Sequence, residues 1–131
     1  MDNPQLGRQV LDEFDKGNGR MRSWAHQPVG ECNMVACLGG WTMIKAGYKV
    51  DMKYYNGDHP LFITFYRPNG TVVPPMYYGD EAQKLLGMSD EEVMLDSPET
   101  TDAAGGIWYN WDNGPDLFRK LVEESEGRQS L

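Results

Sequence analysis

Three residues that could share one proton in a hydrolytic reaction occur in the order Cys32, His59, Asp80. Gly30-Glu31-Cys32 would place a thiol at the start of a helix, where unpaired backbone N–H groups and the helix dipole favour the thiolate. An imidazole at His59 would take the thiol proton, and a carboxylate at Asp80 would orient the imidazole. Pro60 directly after His59 restrains the backbone of that base. The residue types are also met by a buried, inert cysteine and a histidine on a surface loop, the reading preferred here.

Cys32 and Cys37 together with His26 and His59 supply two sulfurs and two nitrogens, the count for tetrahedral zinc. The Cys-x4-Cys spacing works against it. Within a continuous helix, residues five apart face different ways and their Cα atoms lie beyond about 7 Å, which disfavours both a shared metal and a disulfide. Asp51, Asp58, Asp80 and the Asp90-Glu91-Glu92 run lack the register of a calcium loop. The sequence holds no Gly-x-Gly-x-x-Gly, phosphate loop or Gly-x-Ser-x-Gly. No metal and no cofactor is expected.

Two further groups suit binding rather than catalysis. Trp108, Tyr109 and Trp111 stand among Asp102, Asp112 and Asp116, a composition that fits a protein-binding surface or a carbohydrate platform. The binding set expected from it is Trp108, Tyr109, Trp111, Asp112 and Asp116; the alternative is that both indoles close the core. Gly39-Gly40 lies inside a helical pattern, so something approaches that backbone closely or the helix bends there. With Trp24 and Trp41 these glycines outline an alternative small-ligand pocket.

The elements that must position these residues follow from periodicity. Leu6, Val10, Leu11 and Phe14 give a first amphipathic helix that stops at Gly17-Asn18-Gly19. Met34, Cys37, Trp41 and Ile44 predict a central helix from Asn33 to Ala46, ended by Gly47. Leu61 to Tyr66 and Thr71 to Val73 flank Pro68-Asn69-Gly70 as a hairpin, which Pro74-Pro75 ends. Asp80 to Leu86 predicts a short helix closed by Gly87, and Ser89 with Glu92 forms a capping box for the next. Ile107 to Trp111 reads as an extended segment, and Pro115 with Asp116 opens a final helix carrying Leu117, Phe118, Leu121 and Val122. The fold class is therefore α+β: one mainly helical domain over residues 1–126, with four or five short helices, one small antiparallel β-hairpin and a flexible tail at 127–131.

The 131 residues carry a net charge of −8, unevenly placed. Residues 1–75 hold eight Lys or Arg against seven Asp or Glu, and residues 76–131 hold four against thirteen. Clustered cations are what phosphate binding needs, so neither nucleic acid nor an anionic membrane is an expected partner. The chain has no apolar run of membrane-spanning length and does not open like a signal peptide, so a cytoplasmic location is expected.

Met21, Trp24, Cys32-Asn33-Met34-Val35-Ala36-Cys37-Leu38-Gly39-Gly40-Trp41 and Ala82-Gln83-Lys84-Leu85-Leu86-Gly87-Met88 carry a resemblance. Their order is similar to that of a family of small bacteriophage and bacterial, often actinobacterial, proteins. The family motif is of the kind Cys-Gly-Thr-Val-Ala-Cys-Ile-Ala-Gly-Trp. The Asn33-Met34 pair departs from it. The resemblance implies a mainly helical cytosolic protein and supplies no catalytic residues. The Cys32, His59, Asp80 order more distantly resembles transglutaminase-like and papain-type hydrolases. The expectation is a phage-type accessory protein that acts without catalysis by binding a host or viral protein. A cysteine hydrolase or transferase and a ligand-sequestering protein are the alternatives.

Overall fold

Asn3 starts the first helix: its Oδ1 accepts the Leu6 N–H at 3.3 Å, and Pro4 occupies the first turn, where a missing N–H costs nothing. This is α1 (Pro4–Asp15). The computed structural model describes residues 1–21, 24–25, 34–53, 62–94 and 106–129. Beyond α1 these form α2 (Leu38–Lys45), β1 (Lys49–Lys53), β2 (Phe62–Tyr66), β3 (Val72–Val73), α3 (Tyr78–Leu86), α4 (Asp90–Val93) and α5 (Gly114–Gln129). Short 3₁₀ turns occupy Pro75–Tyr77 and Gly106–Trp108. The class is α+β and mostly helical, as expected.

The sheet is larger than a hairpin. Its order is β1-β2-β3, antiparallel throughout, with Asp51 opposite Thr64 and Phe65 opposite Val73. Asn69 shapes the β2–β3 turn by accepting the Thr71 N–H at 2.9 Å.

Helix α2 begins later than its periodicity predicts. Asn33 lies outside the described residues, and Val35 to Cys37 are not helical. Ala36 instead bridges Gly19: its N–H donates to the Asn18 carbonyl at 3.1 Å and its carbonyl accepts from Arg20 at 2.9 Å. Those backbone groups cannot also serve a helix, so Cys37 becomes the extended residue that caps it. Gly39-Gly40 thus falls in the first turn rather than mid-helix. At the other end of the chain, α5 continues through Gly127 to Gln129, further than the expected tail allows.

Two apolar clusters hold the elements together. Leu6, Val10, Leu11, Leu38, Leu86, Phe118 and Val122 join the helices, while Ala25, Met43, Phe65, Val73 and Tyr78 seat the sheet against α2 and α3. Trp24, Met34, Ile44 and Leu85 touch both clusters. Arg8 pairs with Glu126 at 2.6 Å and Arg119 with Asp15, tying α1 to α5 at the surface. The N-terminal ammonium of Met1 pairs with Glu92 at 2.7 Å, and Asp2 and Asn3 donate to the Gly87 and Leu86 carbonyls, which docks the chain start on the α3–α4 corner.

Candidate functional site

The aromatic segment before α5 is a folded turn, not an extended strand. Gly106 begins it with φ +51, and a Cβ there would stand 2.5 Å from the Val93 carbonyl oxygen, so only glycine fits. After the 3₁₀ turn, the Asn110 Oδ1 accepts the Asn113 N–H at 2.9 Å and the Asn110 carbonyl accepts the Gly114 N–H at 2.9 Å. The Asn113 carbonyl then takes the Leu117 N–H at 3.0 Å, which starts α5.

This turn divides the expected binding set. Trp108 is buried, 4% exposed, and belongs to the helical core with Ile107 and Phe118. It is an anchor and not a binding residue. Its indole lies over Gly79 of α3, with Cδ1 2.9 Å from where a Cβ would stand. Tyr109 and Trp111 emerge instead, 53% and 51% exposed. Asp112 and Asp116 are exposed beside them. Tyr109 rests edge-on against Trp24 at 6.0 Å, and Trp24 in turn meets buried Tyr78 at 5.4 Å. The result is an outward aromatic corner seated on Trp24, with Asp112 and Asp116 exposed in the same segment.

The proposed ligand pocket around Gly39-Gly40 is filled. A Cβ on Gly40 would run into the Trp24 carbonyl oxygen, and one on Gly39 into the Trp24 ring. The glycines let Trp24 lie directly on the helix, and among the described residues it is Trp24 that occupies the space over both of them. Trp41 is likewise a core residue: its Nε1 donates to the Asn18 carbonyl at 2.9 Å, and the Lys45 ammonium sits 5.6 Å from its ring centre. Lys45 also lies 3.8 Å from the Glu13 carboxylate.

Of the thiol and metal groups, Cys32, His59 and His26 lie outside the described residues, and Asp80 is an exposed residue in the first turn of α3. Among the described residues Cys37 stands at a helix N-terminus, and its free sulfur accepts the Gly40 N–H at 3.4 Å. Burial pushes its pKa up to about 12 even though the Gly40 and Gly39 N–H groups pull it down. A thiol so placed is held in its protonated form at neutral pH, not as the nucleophilic thiolate. Among the described residues no three His, Cys, Asp or Glu side chains converge as metal ligands would.

Arg67 and Glu81 meet at 2.9 Å between the hairpin and α3, and Arg67 also donates to the Val72 carbonyl at 3.1 Å. Burial first, and then the Glu81 carboxylate, raise the pKa of Tyr48 beside them. This cluster fastens the sheet to α3. Among the described residues no helix is long and apolar enough to cross a membrane. No family model, curated protein or solved structure matches the chain.

The sequence points to Tyr109, Trp111, Asp112 and Asp116 by their composition alone. Met76 and Tyr77 are also exposed, 80% and 50%, and no helical or strand periodicity singles them out. They follow Pro74-Pro75, which ends β3 and opens the 3₁₀ turn that carries them.

Proposed function

We propose that this chain is a small, phage-type accessory protein that works in the cytoplasm by binding a host or viral protein rather than by catalysis. The residues assigned to the contact are Tyr109, Trp111, Asp112 and Asp116, with Trp108 as the buried anchor beneath them. The observation that carries this reading is the split within one turn: one indole is buried and the next is half exposed. Large aromatic rings cost about as much to leave in water as any side chain, and fixed exposed rings are the usual energetic centre of protein interfaces. The surrounding acidity supports a partner with a basic face. Residues 76–131 hold thirteen acidic residues against four basic ones. The order of the Cys-x4-Cys-x3-Trp motif supports the phage-type assignment.

The test is affinity capture from the cells that make the protein, run side by side with wild type and Trp111→Ala. The expected outcome is a protein retained by wild type, lost from the variant and released as salt rises. Identical retention by both would overturn the assignment of this corner.

A further inference from the structure

Between Val73 and Tyr78 the chain leaves the core for four residues, Pro74-Pro75-Met76-Tyr77, and all four are exposed. Both ends are fixed. Val73 is fully buried and Tyr78 only 4% exposed, each in the cluster that seats the sheet. The Tyr78 hydroxyl donates to the Ile63 carbonyl at 2.6 Å, and its ring lies edge-on to Phe65 at 5.0 Å. The 3₁₀ turn between these anchors buries no side chain. Residues 68–79 carry no charged group, so what this loop offers to solvent is apolar rings, one thioether and one phenol hydroxyl.

The backbone of the loop is already partly set. Pro74 has φ −60 and ψ 137, the polyproline conformation. Pro75 has its φ fixed near the same value by its own ring, so it joins an extended run by a change at ψ alone. What resists that change is one hydrogen bond in an exposed turn, from the Tyr77 N–H to the Pro74 carbonyl at 2.9 Å. Two prolines held this way lose little freedom on binding, and their flat, donor-free rings pack between parallel aromatic rings. A tyrosine two places on brings a ring and a hydroxyl, which fill a pocket that has a hydrogen-bond partner at its end. The residue between, Met76, is not read by such a groove.

We infer that Pro74, Pro75 and Tyr77 form a Pro-Pro-x-Tyr docking motif for a partner with an aromatic-lined groove of the WW type. Two rings of the groove clamp the prolines and the neighbouring pocket takes Tyr77. The site is separate from the Tyr109 corner, uses none of its residues and stands or falls independently of it. With no charge on the loop, its binding does not depend on salt.

Titration of the intact protein into an isotope-labelled WW domain that selects Pro-Pro-x-Tyr peptides tests it, read by the shifts of the domain's groove signals. Binding is expected, with affinity falling about tenfold or more for Tyr77→Ala and for Pro75→Ala. Met76→Ala, Trp111→Ala and added salt should leave it unchanged. The four side chains are exposed, so the variants fold, which thermal melting verifies. No binding by the intact protein would overturn the inference. Binding by a synthetic peptide of residues 72–79 but not by the intact protein would overturn it too, because the fold would then withhold the motif. A loss with Met76→Ala equal to that with Tyr77→Ala would reduce the loop to an apolar patch and overturn the groove-type partner.

Discussion

The indole of Trp108 lies against the bare Cα of Gly79, its Cδ1 2.9 Å from where a methyl group would stand. That contact locks the turn before α5 to the first turn of α3. It decides which of two neighbouring indoles is buried, and so which part of the segment meets solvent.

Helix propensity and packing therefore oppose each other at Gly79. Alanine is the better helix former by about 1 kcal/mol, yet Gly79→Ala must displace a buried ring and is expected to lower stability. Gly127, in α5, has nothing within 4 Å of its would-be Cβ, so Gly127→Ala should raise stability by about 0.5–1 kcal/mol. Denaturant melts of the two variants give the signs; a stabilising Gly79→Ala would contradict the Trp108 placement.

Trp108 and Trp111 should separate just as cleanly. Trp108→Ala removes a core ring and should cost about 3–5 kcal/mol, whereas Trp111→Ala should change stability by about 0.5 kcal/mol or less. Acrylamide quenching of the native protein should fall when Trp111 is changed to Phe and not when Trp108 is.

Much of this was readable from local chemistry. The Ser89 capping box forms as its spacing predicts: Ser89 N–H donates to Glu92 at 2.9 Å and Glu92 N–H to the Ser89 hydroxyl at 3.1 Å. The first helix, the hairpin turn at Asn69 and the start of α5 are equally local. What failed to show depends on distant strands and rings. Met34 and Cys37 fit a helical period, but the pairing of Ala36 with Asn18 and Arg20 takes their segment out of the helix. Tyr48 to Tyr55 alternates only weakly, with Lys49, Asp51 and Lys53 at every second place, so β1 declares itself only by its pairing with β2. The burial of Trp108 rather than Trp111 is settled by a glycine 29 positions away.

Acid should weaken the fold through Glu92. Burial alone would raise its carboxyl pKa, but the Met1 ammonium and the Ser89 N–H outweigh that and hold it below its ordinary value. A depressed pKa in the folded state contributes stability that is present above the unfolded value, near ~4.3, and is lost as pH falls through the folded value. Glu92→Gln should cost about 1 kcal/mol at neutral pH, and its difference from wild type should shrink below about pH 4. A difference independent of pH would contradict the pairing.

Cys37 should be silent. With its thiol buried and its pKa pushed up to about 12, iodoacetamide should leave it unmodified in the native protein and label it at the rate of unfolding. Labelling at the rate of a free thiol, read by mass spectrometry at that site, would contradict its place at the cap of α2.

The central claim is that the Tyr109 corner is where a protein partner sits. The most direct measurement places a photoreactive phenylalanine analogue at Tyr109 and, in a second protein, at Glu123 on the exposed side of α5. Both are irradiated in the cells that make the protein. The account predicts an adduct of discrete mass, containing a second protein, from position 109 and none from position 123. Equal adducts from both positions, or none from position 109, would contradict it.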